Sequence, residues 1–221
     1  MKINKLIYSS ILFIIFIGVS SSTYSQKPNE FNLRLHPLTL LDPINPALTI
    51  GGEYTINPEQ SMITDIGLLY SMNPIETNTI GVNLQAEYRE YLMDRTSSNH
   101  STFLGGRGQY LYKQLTTSFD FIDSDSVSTG GGIYRDTIDI SKTVYGFNFI
   151  IGYEYMYKKW SFQIYTGLGV KYKMISQRNR FNSDDIYYNR SRDYSIYYDV
   201  YRPGQRLSLN LPLSFSAAIR L

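Results

Sequence analysis

Two histidines, His36 and His100, are the only imidazoles in this chain, and it has no cysteine. Thiol catalysis, disulfides and Cys-based metal sites are therefore excluded. His100 stands directly before Ser101. A serine nucleophile and its base need aligned geometry and an orienting acid, which adjacency in sequence does not supply. A lipid hydrolase would have to be built on this pair alone, so the expectation is a non-enzymatic protein without catalytic residues. Asp120, Asp123, Asp125, Asp136 and Asp139 flank Gly130-Gly-Gly132. Calcium loops need a Gly and a terminal Glu in fixed register. That register is missing here, so the expectation is a solvated loop with no metal and no cofactor. Asp125-Ser-Val and Asp136-Thr-Ile also fit short O-glycosylation signals.

Two further groups have a pattern. Arg34, Glu53, Asp65, Glu87, Arg89, Arg107, Lys113, Glu154, Lys171 and Arg220 fall in the polar phase of alternating segments, so they share one face. Both signs are present, and pairing offsets much of the cost of removing either from water. They are expected to form a structural polar network. The second group is Tyr187, Tyr188, Arg190, Arg192, Tyr194, Tyr197, Tyr198 and Tyr201. Tyr and Arg are enriched where proteins bind partners, so this segment is a candidate external recognition surface. A plain strand continuing through Tyr194, Ile196, Tyr198 and Val200 is the competing reading.

The elements that must position these residues are strands. From Leu207 to Leu221 every second residue is apolar, interrupted in character only by Pro212 and Ala218. Alternation with period two gives a strand one apolar and one polar face. Seven more segments follow the same rule: Phe31–His36, Ala47–Ile56, Ser61–Met72, Thr79–Tyr91, Thr102–Thr116, Thr143–Tyr157 and Trp160–Lys173. The connections after the second and sixth are short, and that after the fourth, Asp94–Ser101, is moderate. Thr117–Lys142 and Met174–Arg206 are long. An even strand count with short turns at one end and long loops at the other is the arrangement of outer-membrane barrels. An eight-stranded barrel has an interior only wide enough for its own side chains. The expected fold is therefore all-β: an eight-stranded antiparallel up-and-down transmembrane β-barrel.

At the start of the chain, Lys2 and Lys5 precede Ile11–Ile17, all apolar, and then Ser20-Ser-Ser-Thr-Tyr-Ser25. This is the order of a cleaved signal peptide, giving residues 1–25 as signal and 26–221 as one barrel domain. The formal charge of +2 resides in Lys2 and Lys5. The remaining chain is neutral and offers no electrostatic reason to bind nucleic acid. Tyr, at 21 residues against 11 Phe and one Trp, suits membrane–water interfaces.

The stretch Leu40-Leu-Asp-Pro…Pro-Ala-Leu…Gly-Glu-Tyr54, with Tyr165-Thr-Gly-Leu-Gly-Val-Lys-Tyr172, resembles small Gram-negative outer-membrane β-barrel proteins grouped as a domain of unknown function. The resemblance implies an eight-stranded barrel and carries over no catalytic residue. The expected location is the outer membrane of a Gram-negative bacterium, and the role structural or surface recognition. Expected partners are outer-membrane lipid and lipopolysaccharide, with a surface or periplasmic protein as a further partner. A lipid-modifying enzyme and an accessory barrel of a secretion or uptake complex are the alternatives. Export should leave a mature protein beginning at or within a few residues of Gln26. N-terminal sequencing that starts upstream of Leu12 contradicts cleavage.

Overall fold

A computed structural model describes residues 30–42, 44–71, 76–93, 95, 98–122, 132–181, 186–187 and 201–221. The strands are β1 (Phe31–Leu35), β2 (Ala47–Asn57), β3 (Gln60–Leu69), β4 (Glu76–Tyr91), β5 (His100–Ile122), β6 (Ile133–Tyr157), β7 (Trp160–Arg178), β8 (Ile186–Tyr187), β9 (Gly204–Asn210) and β10 (Leu213–Arg220). Each of β1 to β6 pairs antiparallel with its successor. β10 pairs with both β1 and β7, for example Leu33 with Ile219 and Ile164 with Phe215. Nine strands thus form an antiparallel sheet that closes in a ring, with two-residue β8 laid against β5.

The last strand is not continuous as expected. β9 and β10 both lie along β7, at Gly169–Ile175 and Trp160–Thr166, and the chain between them leaves the ladder at Leu211-Pro212. Proline has no N–H to donate, and its carbonyl instead accepts from Thr166 Oγ1 at 3.1 Å. β1 ends at Leu35, where the chain turns into a 3-10 helix over Pro37–Leu41. β5 and β6 exceed expectation most. They stay paired up to Ile122 and Ile133, so most of Thr117–Lys142 is ladder and not loop. β7 likewise runs on to Arg178, and β9 begins at Gly204, shortening the expected link Met174–Arg206 from both sides.

Alternation explains both the ring and these extensions. Over the middle of the strands the apolar phase points outward: Leu68, Phe149, Ile164, Leu168 and Leu209 are exposed. The inward phase is polar, and Arg34, Glu53, Arg89, Lys113 and Glu154 are fully buried. Further along, the phase reverses. Leu115, Phe119 and Phe121 on β5, Ile138 and Ile140 on β6, and Ile175 on β7 point inward and pack with Tyr201. On the outer side of that stretch stand Ser118 and Thr137, bonded to each other at 2.8 Å. The strands continue because their inward face there finds an apolar core of its own.

The closing register is directly testable. The variant L33C/I219C should form an intramolecular disulfide on oxidation, because directly opposed residues of an antiparallel pair lie within disulfide reach. Non-reducing electrophoresis showing that L33C/F215C crosslinks better would contradict the observed closure.

Candidate functional site

The inward face builds three polar layers. Near the end with the short turns, Glu53 of β2 is the centre. Its carboxylate accepts from Arg95 Nη2 at 2.9 Å, Tyr91 Oη at 3.1 Å, Gln163 Nε2 at 3.2 Å and Arg34 Nη1 at 3.4 Å. Glu154 of β6 accepts from Gln163 Nε2 at 2.8 Å and from Ser161 Oγ, and lies 2.9 Å from Arg95 Nε. Arg89 pairs with Glu87, donates to Gln163 Oε1 at 2.7 Å, and stacks its guanidinium over Phe103. Three arginines thus meet three glutamates. Gly152 makes the layer possible, because a Cβ there would overlap the Phe103 ring and Tyr165.

In the middle layer, His36 Nε2 lies 3.1 Å from Asp65 Oδ1. Arg107 donates to Tyr165 Oη at 2.6 Å and to Gln85. At the far end, Lys113 Nζ donates to Glu76 Oε2 at 3.0 Å, the Ile44 carbonyl at 3.0 Å and Tyr201 Oη at 2.9 Å. Tyr201 in turn donates to Glu76 Oε1 at 2.7 Å. Bonds such as Glu53–Gln163 and Arg89–Gln163 join strands that are not neighbours in the sheet, so side chains cross the bore and fill it. A connection reaches inward at each end: after β1 the Ile44 carbonyl meets Lys113, and after β4 Arg95 meets Glu53 and Glu154.

Of the ten residues expected to form the inner network, Arg34, Glu53, Asp65, Glu87, Arg89, Arg107, Lys113 and Glu154 are buried there. Lys171 is half-buried on the inward face. Arg220 sits at the rim, where its Nε lies 2.9 Å from Glu30 Oε2. Arg95, Glu76, Tyr91, Gln163 and His36 join the network unexpectedly. Arg95 lies in a connection, where no periodicity marks a direction. His36 follows the inward phase of Asn32 and Arg34.

The expected recognition group divides. Tyr201 is not external: it is 1% exposed and belongs to the inner core. Tyr187 lies on β8, whereas Tyr188, Arg190, Arg192, Tyr194, Tyr197 and Tyr198 fall outside the described residues. The acidic cluster is also not a free loop. Asp120 pairs with Arg135 at 2.9 Å, Asp136 accepts from the Phe181 N–H at 2.8 Å, and Asp139 accepts from Thr116 Oγ1 at 2.8 Å. Asp123 and Asp125 lie outside the described residues. Among the described residues no group of three His, Asp or Glu is placed to hold a metal. His100 and Ser101 point to opposite faces of β5. The histidine is exposed beside Tyr153 and Tyr155, and the serine is buried and donates to the Met93 carbonyl at 3.2 Å. They form no catalytic pair.

The chain matches no family model, no curated protein and no solved structure. Its interior must therefore be read from its own chemistry, which around Glu53 is that of paired charges. Removing one member should be costly. E53A leaves Arg34 and Arg95 buried without their shared carboxylate and should lower stability by about 3–5 kcal/mol, read from denaturant unfolding in detergent. E90A, on the exposed side of β4, should change it by less than about 0.5 kcal/mol.

Proposed function

We propose that this chain is a transmembrane β-barrel of a Gram-negative outer membrane. In this reading residues 1–25 are removed on export, and eight staves cross the bilayer, with β9 and β10 together forming the last. The observation that carries the reading is the reversal of polarity along single strands. On β6 the outward residues from Tyr145 to Tyr155 are aromatic or aliphatic without exception. Ten residues at about 3.3 Å each, tilted by about 40°, give a band about 25 Å tall, the thickness an outer-membrane barrel presents to lipid. Aromatic residues border it, with Tyr110, Tyr145 and Tyr172 on one side and Tyr88, Tyr153, Tyr155 and Trp160 on the other. A barrel in water would keep its apolar face inward throughout. Here that arrangement begins only beyond Lys113 and Lys142, as expected of strands that leave lipid and enter water.

The filled bore argues against a solute pore, and the pairing of the buried charges around Glu53 against catalysis there. What remains is a rigid anchor that carries the extended β5–β6–β7 sheet and the link after β7 outside the membrane. That link, rich in Tyr and Arg, is the recognition surface in this proposal, directed at lipopolysaccharide or a surface protein. Tyr supplies contact area at low entropic cost, and Arg pairs bidentately with phosphates or carboxylates.

Environment-sensitive dyes on single cysteines test the membrane reading. In liposomes the dye on F149C should be quenched by a lipid-borne quencher and that on T137C by aqueous iodide. Equal aqueous quenching of both overturns the proposal. Exchanging residues 184–200 for a Gly/Ser linker, which spares buried Tyr201, should abolish capture of lipopolysaccharide while leaving both dye signals unchanged. Capture that survives places recognition elsewhere.

A further inference from the structure

Beyond the balanced layer around Glu53, the other half of the interior carries more positive charge than negative. Lys113 on β5, Lys142 on β6, and Lys171 and Lys173 on β7 all face inward. Lys113 stands opposite Lys142, while Lys173 and Lys171 stand opposite Val144 and Gly146. Four ammonium groups from three adjacent strands are thus gathered within a few rungs.

Nearby carboxylates are already engaged. Glu76 is held by Lys113 and Tyr201, and Asp42 accepts the backbone N–H groups of Ile44 and Asn45 at 2.8 and 2.9 Å. Among the described residues, Lys142 has the Asn45 amide oxygen at 3.3 Å and the Tyr201 ring at 5.4 Å, and no carboxylate partner. Lys171 and Lys173 have no hydrogen-bond or ion-pair partner there. Burial, with the charges of Lys113, Lys173 and Lys171, pushes Lys142 down to about 7, three residues beyond the band that begins at Tyr145. Buried charges are ordinarily paired, and this chain pairs them at its other end. The lysine excess is therefore a feature of this half alone.

The same half of the ring is open at one flank. β1 stops pairing with β10 at Leu35–Ala217, and β9 pairs only with β7 among the described residues. The edge from Gly204 to Ser216 consequently meets no further strand among the described residues, and its β10 part lies against the 3-10 helix. Exposed Leu38 and Leu41 stand on that helix, and Leu207, Leu209, Leu211 and Leu213 line the edge. An apolar flank thus adjoins a basic interior.

We propose that the lysine cluster binds an oxyanion of the phosphate class, either as free phosphate or as the phosphorylated headgroup of an amphiphile whose chains lie along the flank. Ammonium groups are compact donors of three N–H bonds each and suit a tetrahedral oxyanion. The inference depends on the closed ring and not on the membrane reading, since the lysines face inward in detergent as in lipid.

The test is calorimetry of the full-length protein folded in a neutral detergent, titrated with inorganic phosphate at ionic strength held constant with sodium chloride. Saturable binding is expected, weakened at least tenfold in K171Q/K173Q and unchanged in K158Q/K159Q at the opposite end. K171R/K173R, which keeps the charges, should retain it. Absence of saturable heat, or equal binding by K171Q/K173Q, overturns the site. If the glutamine variant does not fold, the wild-type titration with phosphate against chloride alone decides. Lipid A in mixed micelles supplies the second arm. Competition with phosphate assigns the site to a headgroup, and phosphate binding without competition assigns it to the free anion.

Discussion

Closure of the sheet is the constraint from which the remaining features follow. When β10 pairs with β1, the hydrogen-bonding edges of the closed part are used within the chain, and the backbone needs nothing from its surroundings. The side chains are then sorted into two populations by parity alone. A ring of this width holds little more than its own inward side chains, so every long inward residue must find its partner across the bore. Glu53, Glu87 and Glu154 against Arg34, Arg89 and Arg95 is one solution, and Gln163 joins its two sides by donating to two carboxylates while accepting from Arg89 and Ser216.

The balance is local. Around Glu53, charges of opposite sign are equal in number and flanked by the aromatic rings of Tyr91, Phe103 and Tyr165. Around Lys142 they are not. The two halves of one interior therefore serve different ends, one holding the wall together and the other leaving positive charge without a partner among the described residues. The interrupted final strand lies beside the second half, which couples the backbone irregularity at Pro212 to the electrostatic one.

Parity makes much of this legible in the sequence. Arg34, Glu53 and Glu154 could be placed inside because their neighbours Leu33, Tyr54 and Tyr153 are apolar in strict alternation. Arg95 and Glu76 could not, since one sits in a connection and the other at the ragged start of β4. The extended hairpin was written in the sequence but in the opposite phase. Apolar residues are even-numbered at Tyr110 and Tyr112, and odd-numbered at Leu115, Phe119 and Phe121. The same exchange occurs between Tyr145 and Ile140, and between Tyr172 and Ile175. A search for one fixed phase reads the reversed stretch as loss of pattern, and the nearby Asp and Gly residues reinforce the impression of a loop. Tyr201 was misplaced for a related reason: its neighbours suggest a solvated segment, whereas its hydroxyl is the third partner of a buried Lys–Glu pair.

The length of the β5–β6 hairpin has a geometric consequence. Beyond Lys113 the strand continues through nine more residues, on the order of 30 Å of chain, stiffened by a full ladder on one side and by the Leu115–Tyr201 cluster beneath it. A flexible loop of equal length would sample a hemisphere around its base. This ladder is a mast, with its last described pair, Ile122 and Ile133, at a set height and bearing above the ring. Whatever meets that pair meets it at a distance determined by the ladder, and insertion or deletion of residue pairs in step on both strands would change that distance without turning the contact face away.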